Sequence, residues 1–98
     1  MAQRTSADKQ KAVQEVRIPN SLGLHARPAM QLVDVASRFS AQIEIARAEQ
    51  CVDAKSIMQV MTLAATQGTN LTLTAQGDDA AQAVAAIAEL IADGFGEE

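Results

Sequence analysis

Aromatic residues are nearly absent from this chain of 98 residues, which has no tryptophan, no tyrosine and only two phenylalanines, Phe39 and Phe95. An α+β RNA-binding domain needs aromatic side chains on its sheet to stack against bases, so we exclude that class. The core must be built from Ile, Leu, Val, Met and Ala. With 48% hydrophobic residues, the chain is expected to fold as one domain with one modest core.

Other absences limit the cellular location and the class of partner that we expect. Cys51 is the single cysteine, so no disulfide can form within the chain. No apolar run is long enough to span a bilayer, and the N-terminus lacks the apolar segment of a secretory signal. The net charge of −4 argues against nucleic acid or an anionic membrane surface as the main partner. These features predict a soluble cytoplasmic protein without membrane insertion.

The order of periodic segments predicts the fold class. Residues 1–12 are polar and of mixed charge, and we expect a flexible leader before a domain at 13–98. Alternating apolar residues predict strands, and apolar residues at three- and four-residue spacing predict helices. The order β-α-β-β-α-β-α predicts an α+β protein: a two-layer open-faced sandwich with a four-stranded antiparallel sheet and three helices on one face. The strands are predicted at 13–18, 41–47, 51–54 and 70–75, and the helices at 26–39, 56–66 and 80–93.

The helix faces and ends are also predicted. The first helix should bury Ala29, Leu32, Val33 and Ala36, the second Val60, Leu63 and Ala64, and the third Ala80, Val84, Ile87 and Ile91. Asp78 or Asp79 should cap the last helix, and Gln82 is placed for a capping box after Asp79. Gly94 should end that helix, and the final segment "GFGEE" is expected to be mobile.

The stretch "SLGLHARPAM", residues 21–30, contains the single histidine, His25. The helix pattern places His25 at or next to the N-cap, where free N–H groups and the positive end of the helix dipole bind anions and favour a neutral imidazole. Arg27 can reach an anion held at the same place, and Gly23 permits a sharp turn before the ring. These residue types suit a histidine that accepts a phosphoryl group. Taken alone, a single histidine near a helix start more often caps the helix or fills a gap.

Two segments resemble a known family. The segment "NSLGLHARPA" resembles the active-site signature of the HPr family, the histidine-containing phosphocarriers of the sugar phosphotransferase system. The segment "AKSIMQVMTLAATQGT", residues 54–69, resembles the second signature of that family, which surrounds a regulatory serine. The order of helices and strands also agrees with the family from about Val13 to Asp93.

The resemblance implies roles for the residues of the first segment. His25 matches the histidine that is phosphorylated on Nδ1, and Arg27 matches the arginine that assists transfer. The implied donor is enzyme I, charged from phosphoenolpyruvate, and the implied acceptors are IIA domains of sugar permeases. The protein would then be a stoichiometric carrier and not an enzyme, with no metal or organic cofactor. We expect it to be a monomer.

Ser56 has two compatible interpretations. Ser56 and Gln59 have the S-x-x-Q spacing of a capping box, which predicts that Ser56 is the N-cap of the second helix. By the resemblance, Ser56 also matches the position that HPr kinase/phosphorylase modifies where that enzyme exists. A phosphate there would add roughly two negative charges beside any docking surface.

The second helix is apolar nearly all round, which is typical of a helix that is either fully buried or partly an interface. Ile57, Met58 and Met61 lie outside its core stripe, and Met30 lies off the core face of the first helix. Exposed methionines suit adaptable contact with several partners. We therefore predict a partner-binding surface of Met30, Ile57, Met58 and Met61, the alternative being deeper packing of this helix.

Two other functions remain open. One is a regulatory relay of the NPr type, which uses the same histidine chemistry without sugar transport. The other is a regulatory binding protein that acts through phosphorylated Ser56 without phosphoryl transfer, an interpretation that the presence of His25 weakens.

Overall fold

The computed structural model describes residues 10–97, and its elements follow the predicted order. The fold class is confirmed as a four-stranded antiparallel sheet with three α-helices. The strands are β1 (Lys11–Arg17), β2 (Gln42–Arg47), β3 (Gln50–Asp53) and β4 (Asn70–Gln76), the helices are α1 (Ala26–Ala36), α2 (Ile57–Met61) and α3 (Ala80–Ala92), and a 3₁₀ turn follows at Gly94–Gly96.

The sheet has the strand order β1-β4-β2-β3, and every neighbouring pair is antiparallel. β1 pairs with β4 along its whole length, from Lys11 opposite Gln76 to Arg17 opposite Asn70. The first strand therefore begins two residues before the predicted Val13, with Lys11 and Ala12 in the sheet. Residues 1–9 of the predicted leader lie outside the described residues.

The core lies between the helices and one face of the sheet, because the alternating and helical patterns place their apolar residues there. The two predicted inward pairs of β2 and β4 are buried, as are all four predicted positions of α3. On α1, Ala29, Leu32 and Ala36 are buried, whereas Val33 is only partly covered. These correctly predicted positions are Ile43, Ile45, Leu71, Leu73, Ala80, Val84, Ile87 and Ile91.

Two helices are shorter than predicted. α1 ends at Ala36 because the backbone N–H groups of Arg38 and Phe39 bond carbonyls three residues back, in tight turns. α2 ends at Met61, and Ala64, which was predicted to face the sheet, is exposed with a φ of +48°. Arg47 on β2 donates from Nη1 to the carbonyls of Leu63 (2.6 Å) and Ala64 (3.2 Å), so these groups are bound from the sheet.

The single cysteine lies at the edge of the sheet. Cys51 is exposed on β3, the edge strand. Its Sγ lies 3.3 Å from Oε1 of Glu44. The hydrogen bond to Glu44, with some desolvation and the charge of that carboxylate, raises the pKa of the thiol. The thiol therefore stays protonated at neutral pH and is a poor nucleophile.

Asp79 is the N-cap of α3, but the predicted capping box does not form because its side chain makes no cap hydrogen bond. The carboxylate instead accepts from the backbone N–H groups of Ser40 (2.9 Å) and Ala41 (2.8 Å), which lead into β2. The hydrogen bond from Ser40, with that from Ala41, lowers the pKa of Asp79. Asp79 thus ties the start of α3 to the start of β2.

None of the helices in residues 10–97 combines the length and the apolar character needed to cross a membrane.

We expect Asp79→Ala to lower Tm at pH 7 by several degrees, because it removes two hydrogen bonds to a carboxylate. A carboxyl group whose pKa is lowered by folding stabilises the protein above its unfolded-state pKa, and this contribution is lost as the pH falls through the folded-state pKa. The Tm deficit should therefore shrink in acid. Thermal denaturation at pH 7 and in acid measures this effect, with the exposed neighbour substituted, Asp78→Ala, as the control. Equal deficits for the two variants at pH 7 would contradict the role of Asp79.

Candidate functional site

The loop between β1 and α1 carries His25, and the backbone conformation of this loop depends on Gly23. Gly23 has a φ of +68°, a conformation that L side chains rarely adopt. A Cβ at this position would lie 2.6 Å from the carbonyl oxygen of Ala65 and 2.8 Å from Cα of Thr66. The next residue, Leu24, donates its N–H to that same Ala65 carbonyl at 2.8 Å. The loop is therefore held against the segment that follows α2.

His25 is the N-cap residue of α1, as predicted, with extended backbone angles (φ −80°, ψ −172°) and no side-chain cap bond. Its carbonyl accepts the first helical hydrogen bond, from Ala29 at 2.9 Å. The imidazole projects from the helix start with 37% of its side chain exposed. Among the first helical residues, Pro28 has no N–H, so Ala26 and Arg27 supply the backbone donors there that lack partners within the helix.

Arg27 lies beside the histidine on an open surface. Its exposed side chain lines a cleft of about 400 Å³ with part of the 21–22 loop and the C-terminal segment 95–97. No carboxylate within residues 10–97 forms an ion pair with its guanidinium. The guanidinium therefore has donors to offer to an anion at this helix start.

The C-terminal segment, predicted from the sequence to be mobile, is packed against this site. Phe95 is 3% exposed and belongs to the core. Gly94, Phe95 and Gly96 all have positive φ, so the chain turns sharply after α3. Glu97 then lies with Oε2 2.8 Å from Nε2 of His25. For residues 94–97 the expectation of mobility was wrong because burial of the Phe95 ring anchors the segment, while Glu98 lies outside the described residues.

Sequence reasoning missed two polar residues at the site. Asn20 is 1% exposed, and its Nδ2 donates to the carbonyl of Gly23 (2.8 Å) and to Oε1 of Glu97 (3.0 Å). One of the two phenylalanines stands beside Glu97 in the short segment "GFGEE". Phe95, a large apolar residue in a chain with few aromatics, was the signal in the sequence that this segment packs against the core.

Ser56 is the N-cap of α2, and its Oγ accepts the backbone N–H of Gln59 at 3.2 Å. The reciprocal half of the predicted capping box is absent. The side chain of Gln59 accepts from the backbone N–H of Asp53 (2.9 Å), while the N–H of Ser56 donates to the carbonyl of Asp53 (3.1 Å). Ser56 remains partly exposed.

Apolar side chains on α1 and α2 are exposed, which is what the predicted partner-binding surface requires. Met58 is 79% exposed and Met30 is 62% exposed, on two helices that pack against each other. Val60, by contrast, is fully buried and holds α2 to the core. Leu22, in the loop before His25, is also exposed and was not predicted. We define the apolar patch as Leu22, Met30, Ile57, Met58 and Met61.

Within residues 10–97 no three metal-ligating side chains lie close enough together to hold an ion.

Comparison with known proteins identifies the family. A family model described as the phosphorylation site of the HPr component of the phosphotransferase system matches residues 12–93. The chain is 50% identical over 84 residues to the phosphocarrier protein HPr of Pseudomonas aeruginosa, covering 85% of this chain and 93% of that protein. It is also 41% identical over 83 residues to the multiphosphoryl transfer protein of Haemophilus influenzae, covering 82% of this chain and 17% of that longer protein.

Comparison with solved structures gives the same family. The crystal structure of HPr from Thermoanaerobacter tengcongensis superposes with a TM-score of 0.86 at 45% identity, covering 89% of this chain and 98% of that one. Because these relatives are named as phosphocarrier proteins, the chain is a carrier and not an enzyme. The chain belongs to the HPr family of phosphocarrier proteins of the phosphotransferase system.

Proposed function

We propose that this protein accepts a phosphoryl group from phospho-enzyme I on Nδ1 of His25 and passes it to IIA components of sugar permeases in the cytoplasm. The observation that carries the proposal is the half-exposed ring of His25 at the N-terminus of α1, in a chain that has no other histidine. A carrier must present its acceptor atom to partner proteins, and this ring is presented on the surface.

The surroundings of His25 support a phosphorylated state. A phosphate on the ring would sit near the start of α1, where backbone N–H groups and the helix dipole favour negative charge. The guanidinium of Arg27, which no carboxylate within residues 10–97 engages, adds charged donors at the same end. Because the net charge of the chain is −4, the phosphate would be stabilised by these neighbouring groups and not by the charge of the whole molecule.

We further propose that partners dock on the apolar patch and that phosphorylation of Ser56 by HPr kinase/phosphorylase weakens docking. Ser56 immediately precedes Ile57 and Met58 on α2. A phosphate on its partly exposed hydroxyl would be tolerated at the helix N-terminus, but it would place roughly two negative charges next to apolar side chains that partners must desolvate.

We expect His25→Ala to abolish phosphorylation from labelled phosphoenolpyruvate and enzyme I, because the substitution removes the one imidazole. The label on the unsubstituted protein should be acid-labile and base-stable, and circular dichroism should show the same fold in both proteins. Acid-labile label retained by His25→Ala would contradict this assignment. An unlabelled native protein with an active enzyme I control would instead favour regulation through Ser56.

We expect Arg27→Ala to slow phosphoryl transfer roughly tenfold or more, because a hydrogen bond to a charged group contributes about 1.5–3 kcal/mol. Rapid-quench measurement of the transfer rate from phospho-enzyme I tests this. Arg38→Ala is the matched control, since Arg38 is an exposed arginine whose partner is Asp34, one helical turn earlier. An unchanged rate for Arg27→Ala would remove Arg27 from the mechanism.

We expect Ser56→Asp to weaken binding of enzyme I while stability changes little, because aspartate is also a good N-cap residue. Ser56→Ala is the control: it removes the cap, at a cost of about 1 kcal/mol, without adding charge. Titration calorimetry and thermal denaturation separate the two effects. Equal affinity of Ser56→Asp and the native protein would show that partners do not dock beside α2.

A further inference from the structure

The carboxylate of Glu97 bridges Asn20 and His25, the two ends of the active-site loop. Its Oε2 lies 2.8 Å from Nε2 of His25, and its Oε1 accepts from Nδ2 of Asn20 at 3.0 Å. Glu97 is 21% exposed, so this contact is mostly shielded from water. His25 and Glu97 are 72 positions apart in the chain, and the family match ends at residue 93.

The orientation of the Asn20 amide is determined by its surroundings. Its Nδ2 also donates to the carbonyl of Gly23 at 2.8 Å. If the amide were turned over, its oxygen would face two other acceptors, the Gly23 carbonyl and the Glu97 carboxylate. Asn20 thus presents a donor to Glu97, and Oε1 of Glu97 must be an acceptor.

The second carboxylate oxygen determines where the proton of His25 lies. An ionised carboxylate only accepts hydrogen bonds, so Nε2 of His25 must carry the hydrogen in this contact. A neutral imidazole has one N–H, and Nδ1 then keeps its lone pair.

We propose that Glu97 is a positioning residue that holds His25 as the Nε2–H tautomer and thereby leaves Nδ1 as the nucleophile. The proposal rests on the proposed function, since it assigns a role within phosphoryl transfer to His25.

The transfer step balances with the proton held at Nε2. The Nδ1 lone pair of His25 forms a bond to phosphorus as the bond from phosphorus to the donor atom of phospho-enzyme I breaks, and the electron pair of the broken bond stays with the donor. The proton remains on Nε2, so the His25 ring becomes formally cationic. The Glu97 carboxylate stabilises this charge, as a carboxylate behind a histidine does in other active sites. Onward transfer is the reverse of this step: the bond from Nδ1 to phosphorus breaks, its electron pair returns to Nδ1, and the neutral ring keeps its proton on Nε2.

The backbone that carries Glu97 is built to reach the ring. α3 ends at Ala92, and three residues of positive φ follow, Gly94 (68°), Phe95 (59°) and Gly96 (75°). A positive φ at a bulky non-glycine residue is unusual and persists only when the surrounding structure holds it. Burial of the Phe95 ring supplies that hold, and Glu97 follows two residues later.

Two substitutions at position 97 give opposite expectations for a positioning role and a packing role. In Glu97→Gln, the Asn20 donor draws the new amide oxygen, so the new NH₂ group faces Nε2 of His25 and donates to it. The proton then moves to Nδ1 and blocks the nucleophile. In Glu97→Ala the ring has no such partner and returns to its ordinary mixture of tautomers. We expect transfer rates in the order native, Ala, Gln, with Gln roughly fivefold slower than Ala because one hydrogen bond is reversed. If Glu97 only packed the tail, the isosteric Gln would be the milder change.

Nitrogen-15 NMR of the imidazole, with untagged full-length protein in which His25 is the only histidine, reads the tautomer directly. The native ring should show a protonated Nε2 and an unprotonated Nδ1, and Glu97→Gln should reverse the two. Glu89→Gln, at an exposed position of α3, is the charge-matched control and should match the native protein in spectrum and rate.

A positioning role for Glu97 requires that Glu97→Gln change both the tautomer of His25 and the rate of phosphoryl transfer. A native tautomer in Glu97→Gln, or a rate as fast as native, would overturn it. A slower rate without a tautomer change would also overturn it, because the contact would then be structural. If native protein is not labelled by active phospho-enzyme I, the proposed function fails, while the spectra still show whether Glu97 sets the tautomer.

Discussion

At position 23 two segments of backbone lie in direct contact, with room for a hydrogen atom but not for a methyl group. A Cβ there would come within 2.6 Å of the Ala65 carbonyl oxygen. Around this contact Leu24 donates to Ala65 at 2.8 Å, and Gly68 donates to Ile18 at 2.8 Å. The loop that bears His25 is thereby fastened to the segment between α2 and β4. The start of α1, the position of the ring and the neighbourhood of the apolar patch all follow from this attachment.

The site that results is a local exception to the charge of the molecule. The chain is acidic overall, with a net charge of −4, yet the start of α1 offers backbone N–H groups, a helix dipole and Arg27. These groups favour an anion at one point of an otherwise acidic molecule. In the proposed function, the apolar patch would supply contact area for partners and the helix start would stabilise the phosphoryl group.

Much of the fold, and the position of His25 at a helix start, could be predicted from the local spacing of residues in the sequence. Alternation placed Ile43, Ile45, Leu71 and Leu73 in the core, and helical spacing placed Val84 and Ile87 there, because burial of one face imposes the period of the element. The predictions failed where a side chain bonds to a distant backbone. Asp79 has the spacing of a capping box, but it binds the backbone at 40 and 41. Arg47 binds two carbonyls after α2, where Ala64 turns outward.

The sequence by itself determined the order of elements, the helix start at His25 and the family, because each depends on residues within a few positions of one another. Only the tertiary structure decided that Asn20 is buried, that Phe95 anchors the C-terminal segment and that Glu97 meets the imidazole. Residues 25 and 97 share no periodicity or motif. Their hydrogen bond exists because folding of α3 and burial of one aromatic ring bring the C-terminal segment to the loop before α1, and contacts of that kind leave no trace in local spacing.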